Sequence, residues 1–280
     1  MSLVAIIGAG EIGGAAARAL ALRSRVALVR LIDQQQSVAA GKALDLRQSG
    51  PMCRSDTRIE GAGDLGAAAG AAAIILADAA GGPIEGENEL SILRRLSQGG
   101  HLDASVLVCA SPSHAPLMQR AFDELGLPRR RVMGSAPEAL AATGRMLAAV
   151  EAHAAANQVA LTVIGRPERF LIPWADSSIA GHSAESMLSP PQLRRIERRM
   201  LGLWPPGPGA LGTAAALFSE AANGGASRRI FSAFVSLDRD NGTRAPVCAW
   251  PVSIGTAGLD RVTRPSLSAR DQIVMDEVLQ

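Results

Sequence analysis

Leu3-Val4-Ala5-Ile6-Ile7-Gly8-Ala9-Gly10-Glu11-Ile12-Gly13 sets an apolar run directly against a G-x-G-x-x-G pattern, and an Ala-rich, helix-prone stretch, Ile12–Leu22, follows it. A glycine pattern alone is a weak signal, because any tight strand-to-helix turn can need glycine. Here it lies between a predicted strand and a predicted helix, the context in which it carries chemistry. Gly8 allows the tight turn, Gly10 lets backbone approach a pyrophosphate, and Gly13 lets the helix pack on the sheet. The helix N-terminus, with Glu11 and Ile12 in its first turn, then offers unpaired N–H groups and a positive dipole end to phosphate. A second apolar run, Val26–Ile32, ends at Asp33, 23 residues after Gly10. An acid at about that spacing hydrogen-bonds a ribose hydroxyl and disfavours a 2′-phosphate, which points to NAD rather than NADP. Strand, glycines, helix, second strand and acid agree on a dinucleotide-binding unit.

Outward from this unit the chain keeps alternating. Ser37–Leu46 reads as a helix, Ala72–Leu76 as a buried strand and Leu90–Leu96 as part of a helix with Arg94 and Arg95 outward. Ser105–Ala110 reads as a strand, His114–Leu125 as a helix closed by Gly126, and Arg131–Met133 as a short strand. Apolar strands alternating with helices imply a parallel sheet covered on both faces. The expected class is α/β, a Rossmann-type doubly wound parallel sheet with a second, smaller α+β domain. The division is placed at residue 134, giving a dinucleotide-binding domain over 1–134 and a C-terminal domain over 135–280. In the second half Pro137–Ala155 predicts one long helix, Pro190–Met200 a basic helix and Leu211–Ala222 an Ala-rich helix. Arg229–Ser236 and Ala245–Ile254 predict antiparallel strands about Asp240-Asn241-Gly242, and Asp271–Leu279 predicts a closing helix.

Composition narrows the function classes. A net charge of +2 over 280 residues gives no electrostatic case for nucleic acid or an anionic membrane. Lys42 is the sole lysine among many arginines and tyrosine is absent, a bias most simply read as GC-rich coding. The basic face of Arg194, Arg195, Arg198 and Arg199 reads as a solvated helix side, with Glu197 as a pairing candidate. Cys53, Cys109 and Cys248 are far apart and odd in number, which suggests no disulfide framework, and no metal-ligand spacing occurs. With no signal-peptide pattern and no run long enough for a membrane span, the expected setting is cytoplasmic. Trp174, Trp204 and Trp250 suit packing in a core or an interface.

Later motifs, in order, resemble the lactate/malate dehydrogenase family nearly end to end. Gly41-Lys42-Ala43-Leu44-Asp45-Leu46 is similar to its G-x-x-x-D-L helix. Ala80-Gly81-Gly82-Pro83 is similar to the A-G-x-P that opens its active-site loop, and Glu87-Asn88-Glu89-Leu90 to the helix that follows. Ser111-Pro112 stands where the family has Asn-Pro, while Gly126-Leu127-Pro128 and Arg131-Val132-Met133-Gly134 resemble G-L-P-x-x-R-V-I-G. Ile164-Gly165 through Ile172-Pro173-Trp174, and Pro251-Val252-Ser253-Ile254-Gly255 with Gly258, resemble its later segments. The resemblance implies NAD as cofactor and hydride transfer with a 2-hydroxy acid. It implies cofactor contacts at Gly8, Gly10, Glu11, Ile12, Gly13, Asp33, Ala80, Gly81 and Ser111, and a homo-oligomer.

The departures concern catalysis. Family chemistry needs a histidine to take the hydroxyl proton, an aspartate to orient it, an arginine to clamp the carboxylate and another to polarise the carbonyl. In this register the histidine position is Pro167, the aspartate is Leu140 and the clamping arginine is Thr143. The loop Ala80–Asn88 is shortened and carries acids where arginines belong. No residue can be assigned as catalytic. Arg145, two positions past the clamp, points about 200° away on a helix. Arg166 and Arg169 could bind an anion but stay protonated. Glu168 is a candidate base or a solvated loop acid, and His114 is a candidate near the nicotinamide end or an ordinary helix-start histidine. His182 is a weaker candidate, and His101 and His153 read as surface residues. Three readings stay open: an NAD(H)-binding relative without family chemistry, an active oxidoreductase on another small substrate, or a scaffold with an empty nucleotide site.

Overall fold

A computed structural model describes residues 2–81, 87–167, 169–224, 229–237 and 246–279. Its N-terminal half contains β1 (Leu3–Ile7), α1 (Glu11–Arg23), β2 (Leu28–Ile32), α2 (Gln36–Cys53), β3 (Arg58–Ala62) and β4 (Ala73–Leu76). Then come α3 (Glu87–Gln98), β5 (Val106–Cys109), α4 (His114–Leu125) and β6 (Val132–Gly134). All pairings among β1 to β6 are parallel, in the order β3-β2-β1-β4-β5-β6. β1, β4 and β5 are buried at every position, as central parallel strands covered on both faces must be. The order reverses between β1 and β4, and the crevice beyond the ends of those two strands is where such sheets take ligands.

The second half contains α5 (Ala136–Glu151), β7 (Val159–Ala160), β8 (Ile164–Arg166), β9 (Arg169–Leu171), β10 (Ser178–Ile179) and β11 (His182–Ser183). It continues with α6 (Ala184–Met187), α7 (Pro190–Leu201), α8 (Pro208–Ala222), β12 (Phe231–Val235), β13 (Cys248–Gly255), β14 (Gly258–Val262) and α9 (Ala269–Leu279). The main sheet does not stop at β6. β12 pairs antiparallel to β6 through Phe234 and Gly134, and β13, β8 and β9 extend it. A small second sheet runs β11-β10-β7. Antiparallel pairing of β12 with β13 matches the expectation, whereas the turn at Asp240-Asn241-Gly242 lies outside the described residues.

Several elements differ from the sequence expectation for local reasons. α2 runs on past Leu46 to Cys53 with Pro51 inside its last turn, a residue that removes one N–H from the helix ladder. α5 stops at Glu151, short of Ala155. His153 takes a left-handed φ of 50°, and Ala154 N bonds back to Ala149 O while His153 N bonds to Val150 O. That is a Schellman closure made without glycine. β3 was not expected at all. It is an edge strand in which only Ile59 is buried, so it lacks the apolar run of its neighbours. Its Gly61 lets α2 approach closely: a Cβ there would lie 2.5 Å from Ala40 N.

Candidate functional site

The glycine turn forms as the pattern requires. Gly8 has φ of +104°, and a Cβ on it would lie 2.3 Å from the carbonyl oxygen of Asp78; one on Gly13 would lie 2.0 Å from Gly8 O. Asp33 is 5% exposed, and its carboxylate joins three loops. Oδ2 accepts from Ala9 N at 2.7 Å and Ala80 N at 2.8 Å, while Oδ1 accepts from Gln35 N at 2.8 Å. Gln35 precedes α2, so the segments after β1, β2 and β4 are held together by one acid.

The N-terminus of α1 holds an anion, and that anion belongs to the chain. Asp78 Oδ2 accepts from Glu11 N at 2.7 Å, and Oδ1 accepts from Ile12 N at 2.8 Å and Gly13 N at 3.0 Å. Its backbone oxygen accepts from Gly10 N at 2.8 Å. α1 has no side-chain cap from its own N-cap residue, Gly10, so Asp78 supplies the acceptors that these N–H groups need. Lys42 donates to Gly10 O at 2.8 Å. Asp78 is a site residue that sequence reasoning does not single out. The available signal was an acid two residues beyond a buried strand at the sheet's reversal point.

Two cavities flank this contact. One of about 420 Å³ is lined by Gly8, Asp33, Gln35, Gly81, Asn88 and Arg95, among others. Another of about 700 Å³ is lined by Glu11, Ile12, Asp78, Glu89, Ser111 and Pro205, among others. Thus Gly8, Asp33 and Gly81 meet at one end, and Glu11, Ile12 and Ser111 at the other. Ala80 donates to Asp33, and Gly10 and Gly13 face Asp78. Residues 82–86 of the expected active-site loop lie outside the described residues.

His114 is 1% exposed. Its Nε2 is 3.1 Å from Glu89 Oε1, and its Nδ1 accepts from Ser111 N at 3.3 Å. Nδ1 as acceptor assigns the proton of a neutral ring to Nε2, facing Glu89. Both nitrogens therefore have partners in the chain, and the ring braces the start of α4. Burial, then the nearby Glu89 charge, pushes the Cys109 thiol pKa far up, so it stays protonated at ordinary pH.

At the positions to which the resemblance assigns catalysis, Leu140 is fully buried and Thr143 Oγ1 bonds to Ala139 O at 3.3 Å within its own helix. Pro167 follows β8, and Glu168 lies outside the described residues. Arg145 donates to Glu138 Oε1 at 2.6 Å and Leu161 O at 3.1 Å. Glu138, 2% exposed, also accepts from Arg229 at 2.8 Å and from Ser232 N at 2.9 Å. Arg169 pairs with Glu277 of α9. On α7, Arg195 reaches Glu151 at 3.2 Å, while Glu197 accepts the indole N–H of Trp174 at 2.7 Å. His182 and His153 are exposed, and His101 is half-buried. Among the described residues no cluster of three or more metal-ligating side chains occurs, and no helix is long and apolar enough to cross a membrane.

Comparison with known proteins places this geometry. Residues 2–90 match the NAD-binding domain of lactate/malate dehydrogenase. The malate dehydrogenase of Thioalkalivibrio sulfidiphilus is 29% identical over 71% of this chain and 68% of its own length. That of Staphylococcus carnosus is 26% identical over 98% of this chain and 94% of its own length. The solved structure of a lactate dehydrogenase from Cryptosporidium parvum, complexed with lactic acid and nicotinamide adenine dinucleotide, superposes with a TM-score of 0.87 at 20% identity. It covers 99% of this chain and 94% of that one. The likeness to that structure is one of fold.

Proposed function

We propose that the chain is a member of the lactate/malate dehydrogenase family that keeps the family's NAD-binding domain and has lost its hydride transfer to and from 2-hydroxy acids. The observation that carries this reading is the state of the proton-transfer and clamping positions. Pro167 has no titratable group, Leu140 is packed in the core, and Thr143 is bonded to its own helix. The adjacent Arg145 is committed to Glu138 and a backbone carbonyl. Among the described residues at these three positions, none carries a group that can take a hydroxyl proton or grip a carboxylate bidentately.

NAD is the cofactor of the N-terminal domain. Its two ends meet different surroundings here. The cavity at Asp33 suits the adenosine end, and among the described residues Oδ1 accepts one N–H bond, from Gln35, so an sp² lone pair remains for a ribose hydroxyl. The diphosphate does not fit at the α1 N-terminus while Asp78 holds Glu11, Ile12 and Gly13 N–H. The cavity beyond, with Glu11, Asp78 and Glu89 in its walls, also disfavours an anionic substrate.

Steady-state assays with NAD and either L-lactate or L-malate test the proposal through NADH formation. Loss of catalytic groups that act together lowers turnover by about 10⁴-fold or more, so rates near background are expected. A kcat of order 1 s⁻¹ or higher, inside the common enzyme range, would overturn it.

A further inference from the structure

The start of a helix is a ready anion site because its first N–H groups lack partners and its dipole end is positive. In this chain three consecutive N–H groups of α1 converge on the Asp78 carboxylate at 2.7–3.0 Å. Gly10 sharpens the point. In dinucleotide-binding turns its missing side chain leaves room for diphosphate. Here a Cβ on Gly10 would lie 2.3 Å from Asp78 Oδ2, so the carboxylate itself fills the space the glycine clears. The backbone locks the arrangement from behind, through Gly10 N to Asp78 O at 2.8 Å. Charge acts in the same direction, since Glu11 and Glu89 line the same cavity as Asp78.

We propose that Asp78 is a built-in surrogate for the dinucleotide's diphosphate, and that it holds NAD(H) affinity down by occupying the cradle. The inference rests on reading residues 2–90 as an NAD-binding domain. An incoming diphosphate must break three charge-assisted bonds and displace a like charge before it gains the same donors. The adenosine pocket at Asp33 lies on the other side of the contact and does not include Asp78 among its lining residues. A ligand without phosphate therefore escapes the penalty.

The test is calorimetric titration of NADH, with adenosine as the phosphate-free probe, into the wild-type chain, Asp78→Ala and Asp78→Asn. The alanine variant removes the plug and its charge. The asparagine variant keeps a capping oxygen for α1 and removes the charge alone, so it carries the test if the alanine variant fails to fold. NADH is expected to bind Asp78→Ala about tenfold more tightly or better, and Asp78→Asn by a smaller factor, while adenosine changes by less than about twofold. NADH affinity within about twofold of wild type in both variants would overturn the plug, as would adenosine tightening as much as NADH. Absence of NADH binding by all three chains would also overturn it, and with it the live NAD site. Lactate or malate turnover by the wild type would instead sink the loss of chemistry and leave the plug standing.

Discussion

Asp33 and Asp78 are both acids placed just after buried strands, and each satisfies backbone N–H groups that would otherwise be open to a ligand. Asp33 does so with three N–H groups from three segments, so its role here is structural before it is one of recognition. Replacing it by alanine strands those donors, and Asp33→Ala is expected to lose about 2–4 kcal/mol of stability. The measurement is a urea unfolding curve with a lower midpoint and an unchanged slope. The remaining lone pair of Oδ1 argues that recognition persists as well. Parallel titrations of the folded variant should then show NADH weakened more than NADPH, and equal weakening would leave Asp33 with the loops alone.

Helices α1 and α8 bring the two halves of the chain together behind the glycine turn. Gly212 of α8 sits against α1 so tightly that a Cβ would lie 2.6 Å from Ala16 N and 2.6 Å from Ile12 O. At the far end Arg23 Nε bridges both oxygens of Glu220 at 2.7 and 2.8 Å. Helix propensity alone says that Gly212→Ala gains about 1 kcal/mol. The backbone contact says otherwise, because nothing there can give way like a flexible side chain. Gly212→Ala is expected to lose ~1–3 kcal/mol, as overpacking does, and a rise in melting temperature would contradict the close helix contact. Since Ile12 is one of the residues involved, the same change should disturb the α1 N-terminus that Asp78 occupies.

The main sheet crosses from the parallel to the antiparallel half without a break, through the pairing of Phe234 with Gly134. A Cβ on Gly134 would lie 2.9 Å from Phe234 Cβ, so the junction leaves no room for a side chain at Gly134. Aromatic rings pack behind it, with Phe170 and Trp204 centroids 4.9 Å apart and Phe170 and Phe234 6.1 Å apart. Cysteine reactivity reads the integrity of this core. Cys53 is exposed at the end of α2, whereas Cys109 and Cys248 are buried on central strands, and the Cys109 thiol is pushed further from ionising. A chromogenic aromatic disulfide should therefore titrate one thiol in the native chain and all three in denaturant. Rapid reaction of a second thiol under native conditions would show that the sheet opens.

Much of this was legible locally. A parallel strand buried on both faces must be an apolar run, and a turn that needs positive φ at Gly8 must be written with glycine, so β1, the turn, α1 and the approach to Asp33 stand in the chain as pattern. The longer helices were legible in existence, though the short α6 was not, and α5 ends earlier because a Schellman closure at His153 and Ala154 stops it where propensity alone would continue. Edge strand β3 was not legible, since only Ile59 faces the core and an edge needs no apolar run. Nor was the pairing of Asp78 with α1, or the buried position of Glu138 between Arg145 and Arg229. Asp78 lies 65–67 residues from the N–H groups it holds, and Arg229 lies 91 residues from Glu138, and nothing local marks either acid as an acceptor for them. Only when β4 lies beside β1 does the Asp78 carboxylate come within hydrogen-bond reach of the helix start. The fold class was thus a property of short-range pattern, whereas the occupancy of its anion site arose from the long-range pairing of two strands.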